Sequence, residues 1–176
     1  MSTADPNDIT EDEVNQAQKR WCKGLIEICK KYPDGDYKTQ AEEFIEENYD
    51  FGNNPVFFRP TLAMAPQNFR TTFEGALSYF IGENPRFPKD DGFIKKGWVE
   101  AKFDNTIEGN RAIQVHGKIG IAMGNVYLRK EVTVGGNWTV VDKVFVYIKS
   151  DDEVRLIVHN SALSNIPVTE VPEDAE

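Results

Sequence analysis

Apolar positions recur every three to four residues through the early part of the chain and every second residue through the later part, so the pattern changes period once. Thr10, followed three residues on by Glu13, makes a capping box. Val14, Ala17, Trp21, Leu25, Ile28 and Cys29 then recur at helical spacing. This predicts a long first helix that Pro33, Asp34 and Gly35 end. A second, short helix carries Ala41, Phe44 and Ile45 on one side and glutamates on the other. After a turn at Gly52 to Asn54, residues 56–59 are β-like and run into Pro60, which ends or edges any pairing. Thr71 or Thr72 caps a third helix with the stripe Phe73, Ala76, Leu77 and Phe80, Tyr79 on its last turn and Gly82 as its stop.

From Trp98 the period is that of strands: 98–103, 112–116, 119–134, 138–149 and 154–161, separated by Glu108-Gly109-Asn110, Gly135-Gly136-Asn137 and Asp151-Asp152 as hairpin turns. The fourth strand alternates Val140, Asp142, Val144, Val146 and Ile148 against Val141, Lys143, Phe145 and Tyr147. Both faces are apolar, so the sheet must be covered or curled. Helices first and strands last argue for an α+β fold, with N-terminal helices packed on a strongly curved, mainly antiparallel sheet that closes as a cone around a pocket. The expected organisation is one domain over residues 10–166, with residues 1–9 and the acidic residues 167–176 as flexible ends.

Composition changes this picture by exclusion. The 29 acidic against 20 basic residues leave a charge of −9, and no Lys or Arg run tracks phosphates, which argues against nucleic acid as a partner. No stretch approaches the ~18 apolar residues of a membrane span, and the N-terminal residues form no apolar leader. The expectation is a chain that is soluble and cytoplasmic as it stands, or plastid-located if a transit peptide precedes it. Cys22 and Cys29 lie seven apart on the first helix, hence about 10 Å apart, too far for a disulfide. They read as small core hydrophobes.

His116 and His159 are the only histidines, so a three-histidine zinc site is ruled out and no His-x-His or His-x-x-x-His spacing supports a smaller one. The glycines at 117, 120, 124, 135 and 136 sit among strands, which removes the nucleotide-binding loops. Ser161 stands two residues from His159, so both share a strand face, but no nucleophile-elbow glycines surround the serine. Met123, Gly124 and Asn125 read as a bulge or close approach in a bent strand.

Two further stretches carry a resemblance: Phe57-Phe58-Arg59-Pro60-Thr61-Leu62-Ala63, and Ser78-Tyr79-Phe80-Ile81-Gly82. They are followed in order by Asn84, Phe87-Pro88, Asp91-Gly92-Phe93, Trp98, Phe103-Asp104-Asn105, Ala122-Met123-Gly124-Asn125 and His159-Asn160-Ser161-Ala162. This series resembles the iota-class carbonic anhydrase domain over residues 38 to about 166. That family is similar in fold to the nuclear-transport-factor-2-like cones, among them the association domain of calmodulin-dependent kinase. The resemblance implies reversible CO₂ hydration in a hydroxyl-lined pocket where a Thr, a Tyr and a Ser contact bicarbonate, and a homodimer formed through the open sheet. Carried over by motif, these residues are Thr61, Tyr79 and Ser161. The family's usual ending, His-His-Ser-Ser, is His159-Asn160-Ser161-Ala162 here, so the working serine is Ser161 if it is the first of the pair and is lost if it is the second. The family includes proposals of both metal-free and manganese-assisted members; the poverty in histidine favours no cofactor, with manganese and zinc left open.

CO₂ is small and apolar, and Phe57, Leu62, Phe80 and Tyr127 are the expected lining of a narrow dry pocket, with Asn125 and Asn160 as further polar contacts. Without a metal, a side chain must take the proton that water loses, and His159, with its reference pKa near 6.5, is the expected acceptor or shuttle. Two rival readings stand beside this one: a non-catalytic association or ligand-binding module of the same cone, and a cyclase or isomerase on a larger substrate. The latter needs an acid–base dyad for which Asp142 is the carboxylate to watch.

Overall fold

Helix α1 (Glu11–Lys31) starts at the expected capping box: the Thr10 hydroxyl accepts the Glu13 backbone N–H at 3.2 Å while the Glu13 carboxylate accepts that of Thr10 at 2.8 Å. Its apolar face buries Val14, Ala17, Trp21, Leu25 and Ile28, and Trp21 meets Phe44 of α2 (Tyr37–Asn48) at 5.9 Å between ring centroids. Helix α3 (Phe73–Ile81) is capped by Thr72, whose hydroxyl accepts the Gly75 N–H, and stops at Gly82, where φ is +70°. The computed structural model describes residues 5–132, 137–164, 171, 173, 175 and 176. Among these residues no helix is long and apolar enough to cross a membrane.

The strands are β1 (Phe57–Arg59), β2 (Glu100–Asp104), β3 (Thr106–Ile107), β4 (Asn110–Arg111), β5 (Ile113–His116), β6 (Ile119–Arg129), β7 (Thr139–Ser150) and β8 (Glu153–Leu163). The main sheet runs β1-β8-β7-β6-β2, with β5 on the first part of β6, and the helices cover its inner face. The expected α+β architecture is present, with two differences. The strand expected over 119–134 ends at Arg129, and most of the Gly135-Gly136-Asn137 turn lies outside the described residues. The β1 strand joins the edge in parallel with β8, pairing Phe58 with His159 and Arg59 with Asn160.

β6 serves two partners in turn, β5 through Ile119–Ala122 and β2 through Asn125–Arg129. The changeover is at Gly124, where a Cβ would lie 1.9 Å from the Asp104 carbonyl oxygen. Only glycine admits that approach, which is the close approach the sequence suggests. Gly124→Ala is expected to cost about 1–3 kcal/mol, and each kcal/mol lowers Tm by ~2–4 °C in a domain of this size; thermal denaturation followed by circular dichroism reads the shift.

The described parts of the two ends make contacts with the rest of the fold. Ile9 is buried and its N–H donates to the Gly117 carbonyl at 2.8 Å, while Lys149 Nζ reaches the Asp8 carbonyl and the Glu13 carboxylate. At the other end, Glu176 exchanges two backbone hydrogen bonds with Phe103 and pairs with Lys19. Residues 1–4, 165–170, 172 and 174, on which the rest of the expectation of flexible ends falls, lie outside the described residues.

Candidate active site

Strand alternation decides which side chains face the helices. On β7, Val141, Lys143, Phe145 and Tyr147 are buried on the inner face, and Asp142 is exposed on the outer one. On β8, His159 and Ser161 face inward with 2% and 3% exposure, and Asn160 and Ala162 face outward. Ser161 is therefore the serine of the closing motif that reaches the interior. Ala162 stands on the opposite face.

Thr61 follows β1, Tyr79 sits on the last turn of α3, and Ser161 lies on β8; the fold brings all three together. Thr61 Oγ1 donates to Ser161 Oγ at 2.9 Å, and Ser161 Oγ donates to the Arg59 carbonyl at 3.2 Å. The Tyr79 hydroxyl lies against the Thr61 side chain and the Leu62 backbone N–H. Thr61 and Ser161 are thus joined by a hydrogen bond, with the Tyr79 hydroxyl beside Thr61. Burial pushes the Tyr79 pKa well above its ordinary value against the pull of Leu62 and Thr61, so the phenol stays protonated. Arg59 closes the cluster by donating from Nη1 to the Ser161 carbonyl.

Tyr79 is held from behind by a buried ion pair. Asp90 accepts from Arg70 Nη2 at 2.6 Å and from the hydroxyl of Ser78, next to Tyr79 in α3, at 2.7 Å. Both charged side chains are at most 3% exposed, and the Phe87 ring lies 4.7 Å from the guanidinium carbon. Arg70 Nε and Nη1 have no hydrogen-bond partner among the described residues, so Asp90 is the carboxylate that answers this charge.

His159 is enclosed behind the hydroxyl cluster. Its ring is stacked on Phe58 at 4.5 Å, faced edge-on by Phe145 and Trp21, and fully enclosed. Nδ1 is 2.8 Å from the Tyr49 hydroxyl and Nε2 is 2.9 Å from Lys143 Nζ. Both nitrogens are occupied, and burial, with the Lys143 charge, drives the imidazole pKa well below its ordinary value. It does not meet the hydroxyl cluster as a free base. Tyr49 is itself an acceptor for Trp21 Nε1–H at 3.0 Å.

The remaining expected residues divide by face. Phe80 is buried among Phe44, Phe58, Tyr79 and Phe93. Phe57 is 62% exposed on the outer face and Leu62 is half-exposed, so they do not line an enclosed pocket. Tyr127 packs in a separate cluster with Trp138 and Val140. Asn125 donates to Asp142 at 2.8 Å on the outer face, where the two, with Asn160, line an open depression of about 290 Å³ that Thr61, Tyr79 and Ser161 do not reach. Asp142 is thus not the interior carboxylate that a cyclase dyad needs. His116 is exposed on β5, with β6 and β7 between it and β8, and no group of three or more His, Cys, Asp or Glu able to hold a metal occurs among the described residues.

A family model described as metal-independent carbonic anhydrase matches residues 12–163. The chain belongs to that family. A relative named metal-independent carbonic anhydrase, from Nostoc sp. (strain PCC 7120 / SAG 25.82 / UTEX 2576), is 38% identical over 159 residues, 88% of this chain and 74% of the relative. A cyanobacterial iota-carbonic anhydrase whose crystal structure is complexed with bicarbonate superposes with a TM-score of 0.83 at 36% identity, over 94% of this chain and 99% of that one. An NTF2-like protein of unknown function from Methylobacillus flagellatus KT is similar at a TM-score of 0.45 and 12% identity. The family match takes in α1 from Asp12, upstream of the stretch from residue 38 over which the motifs carry the resemblance.

Tyr49, Trp21 and Lys143, which form the hydrogen-bond and ring surroundings of His159, are residues that sequence reasoning did not bring to the site. A signal for Lys143 was present: it is a charged position between apolar ones on the β7 face that reads Val141, Lys143, Phe145, Tyr147.

Proposed function

We propose that this chain hydrates CO₂ reversibly to bicarbonate, without a bound metal, at the cluster of Thr61, Tyr79 and Ser161. The observation that carries the reading is the hydroxyl cluster itself, Thr61 hydrogen-bonded to Ser161 with the Tyr79 hydroxyl beside them on the inner side of β8, in a member of the metal-independent family. Hydroxyls suit this reaction because the charge that grows on the CO₂ oxygens is met by O–H donors, which gain strength in a site from which aromatic rings exclude water. Thr61, Tyr79 and Ser161 hold the attacking water and these oxygens in line; Phe58, Phe80 and Phe93 supply the dry wall.

Stopped-flow CO₂ hydration after exhaustive chelation tests this. Activity that survives chelation and is lost in Thr61→Ala, Tyr79→Phe and Ser161→Ala supports it; a silent wild type, with or without added metal, sinks it in favour of a binding module.

The chain acts as a homodimer through the outer face of the sheet. What supports this is an apolar surface on that face, with Phe57 and Met123 exposed and Val144, Val146, Ile148 and Val158 half-buried. Val146→Glu is expected to halve the mass seen by sedimentation while the hydroxyl cluster stays intact; a wild type that sediments at 20.0 kDa rejects the dimer.

A further inference from the structure

Hydration releases a proton, H₂O + CO₂ → HCO₃⁻ + H⁺, and the hydroxyl cluster has nowhere to put it. Serine and threonine do not accept protons near neutral pH, Tyr79 stays protonated, and both nitrogens of His159 are occupied. We propose that the amine of Lys143 takes the proton released by hydration, with His159 and Tyr49 as positioning residues that keep it neutral until the proton arrives. This inference rests on the CO₂-hydration reading above.

The directions of the hydrogen bonds carry the argument. Trp21 Nε1–H can only donate, and it donates to Tyr49. If the Tyr49 hydroxyl then donates to His159 Nδ1, the histidine proton lies on Nε2 and points at Lys143 Nζ. A neutral amine accepts that proton, and every donor from Trp21 to His159 is satisfied. If Lys143 is an ammonium, it must donate to Nε2 instead; the histidine proton moves to Nδ1 and donates to Tyr49. The Tyr49 hydrogen then has no acceptor among the described residues, and a buried donor is stranded. Protonation of Lys143 therefore flips the chain from a satisfied to a strained arrangement, and the strain favours passing the proton on.

The surroundings act in the same direction. Trp21 and Cys22 face Lys143 from α1, with Nζ 4.3 Å from the Trp21 ring centroid; Phe145 flanks it on β7, and His159 and Ser161 face it from β8. Its partner position on β6 is Gly124, without a side chain. No carboxylate among the described residues acts on it, and burial lowers its pKa to about 7, Cys22 pulling the other way. The Cys22 thiol, pushed up to about 12 by burial, supplies no counter-charge near neutrality. Lys143 and Ser161 are directly opposed across β7 and β8 on the inner face, with roughly 4.5–5.5 Å between Cβ atoms in such pairs, so the lysine stands on the same surface as the hydroxyl cluster. In the reverse direction the ammonium returns its proton and water leaves.

The sign follows from the depressed pKa. The amine is neutral and able to accept above about pH 7 and charged below it, so kcat for hydration rises with pH through that value. Stability rises too between about pH 7 and the ordinary lysine range, where the unfolded chain binds the proton that the folded one releases.

The test is the pH profile of stopped-flow hydration by the chelated protein, wild type beside Lys143→Met and Lys143→Arg, with a ¹⁵Nζ-lysine NMR titration of the wild type. Lys143→Arg keeps the stem and the charge but holds its proton at every working pH. Both variants are expected to lose about 10²-fold in kcat together with the rising limb, KM changing little, and imidazole buffer to restore part of the rate to Lys143→Met. An active wild type whose profile survives in Lys143→Arg, or a lysine resonance set with no member titrating near 7, overturns this inference alone. The NMR reading is taken on the wild type and does not depend on either variant folding. A silent wild type overturns the hydration reading and this one with it.

Discussion

Replacing Ser161 with alanine is expected to lower kcat/KM for CO₂ hydration by about 10²–10³-fold, the usual effect of removing one pre-aimed donor from a developing oxyanion, while the fold persists. Ser161 anchors the cluster to the backbone: it accepts from Thr61 and donates to the Arg59 carbonyl, so its loss leaves the Thr61 proton without that acceptor. The methyl that remains fills most of the same space, so thermal denaturation should show only a small shift. Ala162→Ser is the control, because that position faces outward and its hydroxyl would not enter the cluster; the rate should be unchanged. A Ser161→Ala enzyme with full kcat/KM, or an Ala162→Ser enzyme with a raised one, would reassign the closing motif to the other face.

The second large effect is on stability. Asp90→Ala removes the carboxylate from the buried Arg70, whose Nε and Nη1 are already without partners, and frees the Ser78 hydroxyl as well. Breaking a buried pair by deleting one partner costs about 3–5 kcal/mol, which at ~2–4 °C per kcal/mol is a fall in Tm on the order of 10 °C. Chemical denaturation gives the free energy directly. Replacing both partners with apolar residues of similar shape should recover much of the loss, since the uncompensated charge goes with them. If Asp90→Ala melts with the wild type, the Arg70 charge is solvated by another route. Because Ser78 adjoins Tyr79, the variant also asks whether the hydroxyl cluster depends on the ion pair for its alignment.

The helices and the long closing strands were legible because their signals are local. A capping box, two stripes at helical spacing and a clean alternation on β7 each need only neighbouring residues. The parallel pairing of β1 with β8 was not legible, because it joins Phe58 to a partner at His159 and no periodicity specifies a contact over that separation. Thr61, Tyr79 and Ser161 came from motif order, whereas their hydrogen bonds follow from that long-range pairing. The assignment of His159 as the free base came from its reference pKa alone. What the sequence could not show is its enclosure: Tyr49, one residue past the end of α2, and Lys143, on the neighbouring strand, are the partners of its two nitrogens. Asp142 drew attention as the carboxylate on the central strand, but its parity with Val144 and Val146 places it outside.

That parity has a consequence for how such a protein changes. Along β7 the odd positions hold the interior and the even positions hold the outer surface proposed above as the dimer face, so on that proposal neighbouring codons answer to different selective demands. A substitution at 142, 144 or 146 would then edit assembly and leave the interior in place; one at 143 or 145 would do the reverse. One strand thus carries two traits that can evolve, or be engineered, separately.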